Sequence, residues 1–449
     1  MRSWNITKPC KRGGRRLVFS VVAMMAVLLP GVASAQASSL NAFSPYTLYG
    51  IGDINLQGLT PTRSMGGTGV AYKSPFTINY INPASLGTIA QKAFLFDVGV
   101  EGTNYYMKST GLDGVARTSS FNSFNLSDIA VAFPLAKGIG FSVSMTPFSS
   151  VGYRIETQEE DPAIVANIGQ VRYTHLGEGG INQFKAGMGV ALSKNFSLGA
   201  DLIYYKGRIN RTYYITVLPV MAGDTYNSVN AVDFSNVSRF YGALGFQWNI
   251  IATDKRLLTF GGTFQPGGKL GMSTTRYIPS SDILQDTVAM QVTRTPFKMA
   301  STARAGLYYG SMRWSFAADY TFQNWGVNTQ SEAPDLIQYV NTNSIRLGAE
   351  LTPDRSDFRH ALNRWSYRAG FRYDQYYMKV RDTRLADAAF TFGVGVPIKM
   401  GGFSMVNAGL EVGQKGVATN GLIRTYYFKI LLGFSLFGDD FWFVQPKYD

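Results

Sequence analysis

From Ala93 to Phe437 the sequence divides into fourteen segments in which apolar and polar side chains take turns, and this alternation constrains the fold more than any other feature. The spans are 93–107, 124–135, 139–153, 183–192, 196–209, 238–250, 256–266, 299–309, 312–325, 343–352, 364–376, 388–398, 403–413 and 424–437. Successive side chains of a strand point to opposite faces, so each segment predicts a strand with one greasy and one polar side. In the first, Phe94, Phe96, Val98 and Val100 oppose Asp97, Gly99 and Glu101. In the last, Phe428, Ile430, Leu432, Phe434 and Leu436 oppose Lys429, Gly433 and Ser435. The second segment is the weakest, because its alternation breaks near Asp128.

Phased this way, the apolar faces read as free of Lys, Arg, Asp and Glu, although charged residues make up 16% of the chain. A basic side chain facing lipid at mid-depth costs about 2–4 kcal/mol, which explains such an exclusion. After residue 35 no run of eighteen apolar residues could form a spanning helix. The connections also alternate. Most after even-numbered segments are short, as in Ala136-Lys137-Gly138 and Ser193-Lys194-Asn195, whereas those after odd-numbered segments are long. Short turns on one side and long loops on the other distinguish an outer-membrane barrel from a soluble sandwich. Tyr105, Tyr106, Tyr153, Trp248, Trp325, Trp365, Tyr376 and Tyr377 cluster near segment ends, where interfacial girdles place amphipathic rings. The fold class predicted is all-β: a transmembrane antiparallel β-barrel of about fourteen strands over residues 91–437.

Residues 1–35 have the form of a secretory signal. Six bases, Arg2 to Arg16, precede the apolar run Leu17 to Val32, and Ala33-Ser34-Ala35 offers a cleavage site. Cleavage would lower the formal charge from +13 by six, to +7, and would remove Cys10, the single cysteine. That excludes disulfides and thiolate chemistry from the mature chain. The remaining bases are scattered, which gives nucleic acid no patch. Residues 438–449 form a short tail, expected on the periplasmic side.

The polar faces carry Asp97, Glu101, Asp201, Asp319, Arg346, Glu350, Arg368, Arg372 and Asp374 among a balanced set of acids and bases. An open ion-selective pore shows one sign at its constriction. Mixed charge suits an internal ion-pair network that holds a plug. Fourteen strands enclose more space than wall side chains fill, and residues 36–90 are the segment available to fill it. They contain Met65, Gly66, Gly67 and Gly69, followed by Asn82-Pro83-Ala84, a pattern suited to tight turns and side-chain-to-backbone bonds. Pro147 falls inside the third segment, where a residue without an N–H marks a break, a bulge or the end of pairing.

These motifs, Ser64-Met65-Gly66-Gly67-Thr68-Gly69-Val70-Ala71 and Asn82-Pro83-Ala84 together with Asp319 to Trp325 and Arg368 to Asp374, resemble the FadL-type outer-membrane transporters of hydrophobic compounds. The resemblance implies a fourteen-stranded barrel with an N-terminal hatch in the lumen. It also implies a hydrophobic, fatty-acid-like ligand, bound in the lumen and released past the hatch or laterally where the third strand kinks, here at Pro147. Some relatives of this fold serve instead as protein-binding subunits of secretion or assembly complexes, docking through extracellular loops. Location in the bacterial outer membrane follows from either, with membrane lipid as the surroundings. No cofactor, metal or catalytic group is expected. The two histidines, His175 and His360, fall on opposite ends of the barrel and cannot form one site.

Overall fold

The computed structural model describes residues 43–111, 115–219, 229–279, 287–331, 333–357, 359–398, 403–419 and 421–438. The predicted signal and the tail from residue 439 lie outside the described residues. Fourteen wall strands follow one another: β1 (Phe94–Thr110), β2 (Ala116–Ala136), β3 (Ile139–Gln158), β4 (Gly169–Ala191), β5 (Phe196–Pro219), β6 (Val229–Ala252) and β7 (Arg256–Gln265). The other seven are β8 (Thr302–Ser311), β9 (Trp314–Gln323), β10 (Thr342–Leu351), β11 (Ser366–Val380), β12 (Thr383–Pro397), β13 (Met405–Lys415) and β14 (Ile423–Gly438). Each pairs antiparallel with the next, and β1 pairs with β14 from Phe94↔Gly438 to Ser109↔Ile423, which closes a transmembrane barrel. Closure leaves the sheet no free end, as lipid requires.

Every predicted strand is present, but the outer ends run further than alternation indicated. A spanning strand needs about 9–11 residues, whereas β4 has 23 and β5 and β6 have 24 each. A hairpin of Met272–Pro279 and Thr287–Thr295 adds to β6 and extends this outer sheet. Much of what the sequence reads as loop is therefore strand, and His175 lies within β4. The connection expected between β11 and β12 shrinks to Arg381-Asp382, both at positive φ (49° and 60°), a tight hairpin turn. On the opposite side the connections are short except at 352–365, as expected.

Two further expectations need correction. The outward face is free of charge only within the membrane-spanning part of β5; beyond it Lys206 and Arg208 stand on that same face, exposed. Four of the presumed girdle aromatics are instead buried. Tyr153 and Trp325 are 0% exposed, and Tyr376 and Tyr377 nearly so; the last three pack with Phe297 and Tyr339 near the outer end of the lumen. Trp248 and Tyr106 do face outward. Burial won because the outer extensions together with Leu270, Met272, Phe297, Met299 and Ala300 provide a second apolar cluster there, which period-two patterning cannot locate.

The broken alternation in β2 has a local cause. Gly99 pairs with Asp128 and Val100 with Leu126, so Ser127 is an extra residue, a β-bulge. A second irregularity sits at Pro147: Pro147 pairs with Asn182 and Ser149 with Ile181, leaving Phe148 unmatched. From there outward β3 leaves β2, whose last partner on β3 is Met145. The freed edge of β3 is taken by the N-terminal segment. Asp53 and Ile54 pair with Ser150 and Ser149, and Asn55 donates its N–H to the Phe148 carbonyl at 2.9 Å.

Candidate functional site

Residues 43–90 fill the lumen with short pieces: a 3-10 turn at Pro45–Leu48, a helical turn at Thr60–Arg63 and a longer 3-10 turn at Pro83–Thr88. Gly66 and Gly67 adopt φ of 71° and 79°, a region that side chains rarely enter. Gly69 is needed for a different reason, since a Cβ there would sit 2.5 Å from Ile81. Met65 and Ala84 are buried. Pro83 opens its 3-10 turn, where a missing N–H costs nothing. Asn82 caps that turn by accepting from the Ala84 N–H, and its amide donates to the Val70 carbonyl (2.7 Å) within the hatch and the Phe246 carbonyl (3.0 Å) in the wall. Asn82→Ala should orphan these buried acceptors at about 1–3 kcal/mol, seen as a lower temperature for the heat-dependent shift from folded to unfolded gel mobility.

Wall charges grip the hatch as well. Asp319 accepts the backbone N–H groups of Gly69 and Val70 at 2.7 and 3.0 Å. Arg63, the one base in the helical turn, pairs with Glu101 at 2.6 Å and also donates to Ser127 in the β2 bulge. Lys415 pairs with Asp53. Around the rest of the lumen Arg372 contacts Asp374, Asp387 and Glu411 within 2.8 Å, and Arg346 shares Asp374 at 3.1 Å. Tyr427 joins by donating to Asp387. Arg368 bonds Glu350 at 2.6 Å and Asn407 at 2.9 Å. Asp97 accepts from Ser435. Asp201 is buried but stands apart from these clusters. The sequence did not single out a role for Arg63, Asp387, Asn407 or Tyr427; Arg63 had a signal, as the one charged residue between Asp53 and Lys73.

The largest omission was a belt of glycines. Gly140, Gly189, Gly199 and Gly245 stand side by side across β3 to β6. Gly348 pairs with Gly370, and Gly393 with Gly409. A Cβ at these positions would strike the hatch: 2.1 Å from the Leu86 carbonyl at Gly140, 2.2 Å from Pro83 at Gly189, 2.2 Å from the Gly66 nitrogen at Gly370. Gly433 would meet Thr60 at 2.5 Å. At these positions the wall is reduced to bare backbone against the hatch. Beyond the belt remains a cavity of about 160 Å³. Its lining includes six bases (Lys185, Arg304, Arg346, Arg372, Lys415, Lys429) and three acids (Asp53, Asp374, Asp387).

A closed fourteen-strand antiparallel barrel with an N-terminal segment packed in its lumen is the FadL-type outer-membrane transporter fold. Among solved structures, a FadL homologue of Pseudomonas aeruginosa matches with a TM-score of 0.59 at 14% identity, covering 86% of this chain and 99% of its own. The Pseudomonas putida toluene transporter TodX matches at 0.57 and 17%, covering 86% and 99%. The Ralstonia pickettii toluene transporter TbuX matches at 0.53 and 16%, covering 85% and 98%. The sequence model of the BamG family matches residues 16–449, and the chain belongs to that family. No curated protein matches the sequence.

Proposed function

We propose that this barrel is a protein-binding subunit of an outer-membrane assembly complex, with its lumen sealed rather than gated. The observation that carries this is the fit of hatch to wall, where bare backbone contacts and buried polar bonds meet on many strands. Pockets for drug-sized ligands are mostly apolar and hold about 300–1,000 Å³. The cavity of about 160 Å³, whose lining includes nine charged side chains among apolar and polar ones, is smaller and more polar than that. The family name points to an assembly-related role.

The tall outer sheet of β3 to β6 with its added hairpin offers the docking surface. At its edge Asp161 caps the short helix Pro162–Asn167. The neighbouring Glu159 carboxyl is held below the usual carboxylate range by the Asp161 N–H and the Tyr173 hydroxyl, so this rim stays anionic.

A second reading, passage of a hydrophobic compound to the membrane, has its own support in the fold and in the departure of β3 from β2 beyond Pro147. Purification in mild detergent from the native membrane separates the two. The expected result is stoichiometric co-migrating protein without bound fatty acid. Bound fatty acid without partners would replace the assembly reading with transport.

A further inference from the structure

The outward face of β5 changes character at a definite height. Ile203, Tyr205 and Ile209 point inward and are almost fully buried, while Leu202 faces out and is 56% exposed. Next on the outward face comes Tyr204, stacked on Phe240 of β6 with ring centroids 4.4 Å apart. Then come Lys206 and Arg208, the eleventh and thirteenth residues of β5. A tilted strand crosses the hydrocarbon in about 9–11 residues, so these two cations stand at the level of the outer headgroups.

Arg208 is held in place. Its Nε donates to Asn236 at 3.0 Å and its guanidinium lies 5.3 Å from the centre of the Phe234 ring. Both terminal nitrogens are left to meet a ligand, in the planar fork that matches two phosphate oxygens. Among the described residues neither Lys206 nor Arg208 has an ion-pair partner. Glu178, the carboxylate on this face of β4, instead accepts from Asn210 at 3.2 Å. With Thr275 and Tyr277 of the hairpin, Arg208, Phe234 and Asn236 line an open pocket of about 280 Å³.

We infer that this pocket binds the phosphate of an anionic glycolipid in the outer leaflet. Charge, a fixed fork and hydroxyl donors suit the phosphate, and the height just above the Tyr204–Phe240 stack selects a headgroup over a soluble anion. The inference uses the barrel and its orientation, and stands under either function above.

Native mass spectrometry of the purified full chain, incubated with diphosphoryl lipid A, tests it. The Lys206→Gln/Arg208→Gln variant should retain about tenfold less lipid A, the size of one lost charge-assisted bond. Both residues are exposed, so the variant should keep its folded gel mobility. Dephosphorylated lipid A should bind the wild type no better than the variant, and Lys255→Gln in a turn on the opposite side should change nothing. Equal retention by the double variant, equal binding of the dephosphorylated lipid, or equal loss with Lys255→Gln would overturn the site. Displacement by an equimolar amount of inorganic phosphate would make it a free-anion site and end the glycolipid assignment.

Discussion

Arg372→Met should destabilise the folded barrel by about 3–5 kcal/mol, the usual consequence of removing one partner from a buried ionic cluster. The wild-type side chain serves three carboxylates at once. Without it Asp374 keeps Arg346 and Asp387 keeps Tyr427, but Glu411, 0% exposed, loses the cation that it touches. Thermal scans of gel mobility should show the drop. Adding Glu411→Gln in the same chain should recover part of it, since the stranded charge is then gone. An unchanged midpoint in the single variant would mean that the network contributes nothing to holding the barrel.

The second large effect concerns Gly199→Val. Its side chain would enter the space held by Pro83 and the Ala84 nitrogen, 2.4 Å from a new Cβ. Overpacking a tight interior costs about 1–3 kcal/mol and sometimes more, and here the obstruction is backbone on both sides. The variant should yield little folded barrel, or a barrel whose residues 43–90 are open to protease. Gly242→Val is the matched comparison. A Cβ there has nothing nearer than 3.8 Å and looks outward, so this variant should fold like the wild type. If both behave alike, the hatch is not fitted to the wall as described.

These two sites also mark what a linear reading reaches. The strands were legible because lipid on one side and lumen on the other enforce a period of two, and because charge at mid-depth is expensive. That enforcement ends where the wall rises out of the membrane. There both faces are polar enough to read as loop, which is why β4 to β6 looked half their length. Ser127 and Phe148 each add one residue to a pairing, and a phase taken from sequence cannot absorb a bulge. Arg381-Asp382 makes a tight turn without the Asn-Gly or Asp-Gly signature that would have revealed it. In the lumen, charged residues announced themselves, yet their pairing did not. The hatch glycines were legible as turn formers, but the wall glycines were not legible as a belt, because what a missing side chain makes room for is seen only when the hatch is found pressed against it.

The belt has a consequence for how such a molecule is made. A cork that touches its bottle at bare backbone cannot be pushed in or drawn out along the axis once the glass has set. Residues 43–90 come before every wall strand in the chain, and the first and last strands are joined from Phe94↔Gly438 onward. The cylinder has to close around its contents.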